Sequence, residues 1–94
     1  MLAYQIRQWF RVYGEGNTLG TYIAGDYPRG IYFDGTNIWV VNSGSDNVTK
    51  LLASDGSYVG IYDVGDYPLA ICFDGTNIWV ANSGSDNVTY ILVT

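Results

Sequence analysis

Histidine is missing from all 94 residues, and cysteine occurs once. Without histidine there is no imidazole to take up protons near neutral pH, to ligate a metal or to activate a neighbouring nucleophile. The lone cysteine, Cys72, excludes an intrachain disulfide and any cysteine-paired metal cage, and its place in a β-rich stretch predicts a buried, inert thiol. Cations are scarce as well: Arg7, Arg11, Arg29 and Lys50 stand apart from one another, against nine carboxylates and a net charge of -5. Nothing here would track a phosphate backbone or an anionic bilayer, so neither nucleic acid nor membrane is an expected partner. Long apolar runs are also absent. The opening "MLAYQIRQWFRVY" is interrupted by Gln5, Arg7, Gln8 and Arg11, which suits neither a secretory signal nor a membrane span, and a cytoplasmic protein is the default expectation.

What is present is apolar and repetitive. Hydrophobic residues make up 48% of the chain and charged ones 14%, which excludes a disordered polymer and requires a core. Sliding the sequence by 40 positions superposes residues 25–54 on 65–94 with 22 identities in 30. A period of about 40 lies in the band of four-stranded propeller blades and well above that of helical repeats. Within each period "GIYFD", "IWVVN", "VTKLLA" and "YVGIYDV" read as strands A to D, separated by "DGTN", "SGSDN" and "SDGS" turns. Pro28 and Pro68 fall in the "GDYP" linkers, where a missing N–H does least harm. The predicted class is all-β, with no room for a helix in the repeats.

The repeats are out of phase with the chain. Gly16, Gly20 and Tyr22 precede Gly56, Gly60 and Tyr62 by 40 residues, so residues 15–24 read as a strand D lacking its own A to C. At the other end "NVTYILVT" reads as strand C with no D after it. Residues 15–94 are thus two periods of 40 whose ends complement each other. Two blades alone leave unpaired edges and apolar faces, whereas head-to-tail association of copies closes into a ring if the rotation fits. Three copies would give six blades, the favoured reading, and four would give eight. The alternative is a truncated piece of a longer propeller. Residues 1–14 form an N-terminal extension. Leu2, Tyr4, Ile6, Phe10 and Val12 alternate as in a strand, favoured over a helix through Leu2, Ile6, Trp9, Phe10 and Tyr13. Such a strand would compete with residues 87–94 for the position of strand C.

The stretch "PRGIYFDGTNIWVVNSGSDNVTKL" resembles NHL- and YVTN-type propeller blades and those of the streptogramin lyases, a likeness that covers residues 15–94. The resemblance implies a propeller scaffold. Streptogramin lyases depend on a histidine and a bound magnesium ion; with no histidine to match, no catalytic residue carries over.

Most carboxylates have a turn to explain them: Asp34, Asp55 and Asp74 precede glycine, and Asp46 and Asp86 belong to "SGSDN". Neither turn has the ligand count of a calcium loop. No metal, cofactor or catalytic set is expected. Trp39 and Trp79, embedded in "NIWV", are expected to pack between adjacent blades. The residues that could bind a ligand are those that propeller topology gathers at one end of the ring: Asp26, Tyr27, Asp46, Asp66, Tyr67 and Asp86, with Arg29 beside them near the channel. They would suit a small polar molecule, a sugar or a cation. The leading expectation is a non-enzymatic, self-assembling binding scaffold, its main partner another copy of itself. A metal-assisted, lyase-like enzyme is the alternative.

Overall fold

The computed structural model describes residues 19–93. Its secondary structure consists of seven six-residue strands: β1 (Pro28–Phe33), β2 (Asn37–Asn42), β3 (Asn47–Leu52), β4 (Tyr58–Asp63), β5 (Pro68–Phe73), β6 (Asn77–Asn82) and β7 (Asn87–Leu92). They form two antiparallel meanders, a four-stranded sheet β1-β2-β3-β4 and a three-stranded sheet β5-β6-β7. The repeat is reproduced in register. Ile31 opposes Val40 and Ile71 opposes Val80, while Val41 opposes Val48 and Ala81 opposes Val88. The sheet position beside β6 is occupied by β7; the competing extension at 1–14 lies outside the described residues.

The first turn of each sheet shows why the sequence folds as it does. Gly35 and Gly75 take φ of 104° and 102°, where a side chain would be strained. The preceding aspartate ties the loop down: Asp34 Oδ1 accepts N–H bonds from Thr36 (2.8 Å) and Asn37 (2.7 Å), and Oδ2 accepts the Trp39 indole N–H at 2.8 Å. Asp74 makes the same three bonds to Thr76, Asn77 and Trp79. For Asp34, burial raises the carboxyl pKa, but the Asn37, Trp39 and Thr36 donors outweigh it and the net shift is downward. At Asp74 the Asn77 N–H leads, followed by Trp79 and Thr76, again lowering the pKa. Carboxyls depressed in the folded state add stability above their unfolded pKa near 4 and lose it as pH falls through the lower folded value. Asp34→Asn should therefore flatten the acid limb of an unfolding-midpoint profile below about pH 4. An unchanged acid limb would mean that the turn is not the acid-sensitive element.

The two sheets stack face to face through β1, β2 and β5. The first sheet contributes Trp39, Val41 and Val48, with Tyr32 and Tyr62 at the margin; the second contributes Ile78 and Val80, with Ile71, Phe73, Ile91 and Val93 around them. Trp39 leans on Tyr62 at 5.6 Å between ring centroids, and Tyr32 meets Phe73 across the junction at 6.3 Å.

The opposite faces are covered less completely: on the first sheet Val40 and Thr49 are buried, but the residues nearer the margin are not. Ile31 and Phe33 are 68% and 56% exposed on the outer face of the first sheet, and Val88 and Tyr90 are each 61% exposed on that of the second. This overturns two expectations. Cys72 lies in a strand as read, but exposed, because it stands on this open face. Trp39 is fully buried between the sheets, as expected, and only Trp79, on the open face, departs from the expectation by being partly buried. Residues 15–24 were expected to supply a strand; within the described part, Leu19–Gly25 pair with no strand, and Leu19 and Ile23 are each 89% exposed.

A candidate site at the junction of the two sheets

One end of the stack gathers the "GDYP" linkers and the β2–β3 and β6–β7 turns. Each linker is clamped to the turn of the sheet it leads into. Ser43 and Gly44 donate their N–H groups to the carbonyls of Tyr27 (2.9 Å) and Asp26 (3.0 Å), and the Asp26 N–H donates to Ser45 Oγ at 2.7 Å. Ser83, Gly84 and Ser85 hold Tyr67 and Asp66 by the same three bonds. Gly44 has to be glycine: a Cβ there would come within 2.6 Å of the Tyr27 ring and 3.2 Å of the Asp26 carbonyl.

The turn interior is polar and buried, a feature that the reading of the sequence passed over. Asn42 is fully buried; its Nδ2 donates to Asn47 Oδ1 (3.0 Å) and Thr49 Oγ1 (2.9 Å), and its Oδ1 accepts the Gly25 N–H at 3.0 Å. Asn82 repeats the two donated bonds to Asn87 and Thr89, but its Oδ1 finds no partner. The verbatim repeat of "NSGSDNVT", Asn42 and Asn82 included, is the signal that could have exposed this network.

Asp46 joins the two sheets. Its Oδ1 accepts the Tyr67 N–H at 2.8 Å, and its carbonyl accepts the Val64 N–H at 3.1 Å. Four non-glycine residues of these turns and linkers take left-handed backbone angles: Tyr27 and Tyr67 at φ 52°, Asp46 at 59° and Asp86 at 58°. Each such angle costs on the order of 1 kcal/mol outside glycine. Where the set is complete, around Asp46 and Tyr67, the bonds just described offset that cost.

Between the linkers lies an open groove of about 420 Å³ lined by Tyr27, Arg29, Ser43, Asp46, Asp66 and Tyr67, with Gly44 at its floor. Five of the seven candidate binding residues thus meet in one place. Asp26 is not part of the lining, and Asp86, in the β6–β7 turn, repeats the position of Asp46 without a third sheet to face. The groove offers a guanidinium, two carboxylates and two phenol rings, suited to holding a polar ligand. It has no nucleophile paired with a base. Among the described residues, no group of three or more cysteine or carboxylate side chains could hold a metal ion, and no helix is long and apolar enough to cross a membrane.

No protein-family model matches this chain, and no curated protein does. Among solved structures it is similar to Kuenenia stuttgartiensis hydrazine synthase, with a TM-score of 0.67 and 27% sequence identity. That similarity covers 83% of this chain but 24% of the other, so the chain spans about a quarter of that protein's length.

Proposed function

We propose that this chain is a self-assembling, non-enzymatic scaffold, a two-blade share of a β-propeller of the NHL and streptogramin lyase blade type. Copies associate head to tail into a ring that presents the junction groove repeatedly around an axis. A trimer with six blades is favoured over a tetramer with eight.

One observation carries the reading: the two open faces are the two halves of an interface that the chain already makes with itself. The covered face of the second sheet is built on Ile71, Phe73, Ile78, Val80 and Ile91. Forty residues earlier stand Ile31, Phe33, Ile38, Val40 and Leu51, the outer face of the first sheet, where Ile31 and Phe33 are exposed, Ile38 and Leu51 partly buried and Val40 buried. The covered face of the first sheet is built on Tyr32, Trp39, Val41 and Val48. Forty residues later stand Cys72, Trp79, Ala81 and Val88, the open face of the second. A second copy can therefore dock its first sheet on this chain's second sheet as the chain's own sheets dock. Such a contact joins unlike faces, so it propagates until it closes.

Light scattering on the purified chain across a concentration series tests this. A mass of three or four subunits that persists on dilution is the expected result, and a monomer at every concentration would overturn the proposal.

A further inference from the structure

We propose that residues 19–24 of each copy add the missing fourth strand to β7 of its neighbour, paired Gly20 to Tyr90, Thr21 to Thr89, Tyr22 to Val88 and Ile23 to Asn87. The inference rests on the head-to-tail reading above and specifies its backbone contact.

In the first sheet the outer edge of β3 is taken by β4, with Asn47 opposite Asp63, Val48 opposite Tyr62, Thr49 opposite Ile61 and Lys50 opposite Gly60. β7 begins with the same Asn-Val-Thr and pairs through its inner edge with β6, but among the described residues no strand pairs with its outer edge. An edge whose N–H and C=O groups meet no strand among the described residues, on a strand that carries Val88, Tyr90 and Leu92 as exposed apolar side chains, is a template for another strand. Gly20–Ala24 match Gly60–Val64, the end of β4 and the residue after it, at a distance of 40 residues, and pair with no strand among the described residues.

Its placement fits the role. Tyr62, near the end of β4, shares the core with Ile78, Val80 and Ile91 of the next sheet. Tyr22 borders a groove with Ile38, Val40 and Leu51, the residues 40 positions earlier. The segment thus lies over the first sheet as the end of β4 lies over the second, and the two are followed by identically clamped linkers. It cannot reach its own β7, which belongs to the other side of the stack.

The lock between sheets is also half-built at each end. Asp46 Oδ1 accepts the Tyr67 N–H, and the Asp46 carbonyl accepts the Val64 N–H. Asp86 and Tyr27 hold almost the same backbone angles, 58° against 59° for Asp46 and 52° for both tyrosines, without forming the corresponding bonds. In the joined pair, Asp86 Oδ1 of one copy accepts the Tyr27 N–H of the next, and its carbonyl accepts the Ala24 N–H.

Disulfide trapping reads the register directly, since a bridge forms only where Cα atoms approach to about 4.4–6.8 Å. In a Cys72→Ala background, Thr21→Cys with Thr89→Cys and, separately, Tyr22→Cys with Val88→Cys should oxidise to a ladder of covalent multimers on a denaturing, non-reducing gel. Thr21→Cys with Asn87→Cys, two residues out of register, should remain monomeric on the same gel. Light scattering of each variant separates the two proposals. A multi-subunit mass with no ladder from either registered pair, or with an equal ladder from the offset pair, overturns strand donation while head-to-tail association stands. A monomeric mass in the parent as well overturns both.

Discussion

Val88→Asp should give a folded chain that no longer associates. In the isolated chain Val88 is 61% exposed, so a carboxylate there remains in water and the β6–β7 hairpin has little to lose. In the proposed head-to-tail assembly, that position would be buried against the first sheet of a second copy, as Val48 is buried at 0% exposure within the chain. An unpaired carboxylate in such a place costs several kcal/mol, and each 1.4 kcal/mol is a tenfold change in the association constant. A loss of at least about a hundredfold in association is expected by light scattering or sedimentation, with an unaltered circular dichroism spectrum. Val48→Asp is the mirror case, since it puts the same charge inside the chain's own core and should unfold it. If the Val88→Asp chain associates as tightly as the parent, the open face is not the docking face.

The tryptophan pair gives the second large effect, because one residue type occupies one repeat position in two environments. Trp39 is fully buried, its indole bonded to Asp34, its face under the Lys50 ammonium at 4.7 Å and its edge near Tyr62. Truncation to alanine should cost about 3–5 kcal/mol. Trp79 keeps the indole bond to Asp74 and leans on Tyr90 at 5.4 Å, but it is only partly buried. For a dissociated chain, Trp79→Ala should cost only about 1–2 kcal/mol, the worth of one hydrogen bond and one aromatic contact. Urea unfolding at low and high protein concentration compares them. The gap should shrink as concentration rises and the open face becomes covered; a constant gap would count against that cover.

Much of the fold was legible because the repeat made each reading twice. The turn at Asp34-Gly35 and its copy at Asp74-Gly75 were evident from residue chemistry, as were the four strands of the first sheet, whose boundaries differ from the reading by a residue or two. The candidate groove was legible in part. Propeller topology put the linkers and the Asp46 turn at one end, and Tyr27, Arg29, Asp46, Asp66 and Tyr67 do meet there. Asp26 and Asp86 were included by repeat symmetry, which a chain with two sheets cannot satisfy at its ends. The Asn42 network was missed because an asparagine at the end of a strand reads as a turn former, and burial depends on which linker folds over it.

The amino-acid sequence by itself determined the local structure: the strands, the turns between them and the alternation of faces, all of which follow from backbone preferences and side-chain periodicity within a few residues. It also determined that the chain holds two units. Tertiary structure alone decided which face of each sheet is covered. Both faces are apolar, and pattern cannot distinguish them. The distinction depends on which face of the first sheet receives Ile78 and Val80, and it leaves the two copies of one motif in different states: Val48 and Trp39 dry, Val88 facing water and Trp79 only partly buried. The same packing decided that Asp46 reaches across to Tyr67 while Asp86 has no corresponding partner among the described residues, because a hydrogen bond between repeats needs a repeat on each side.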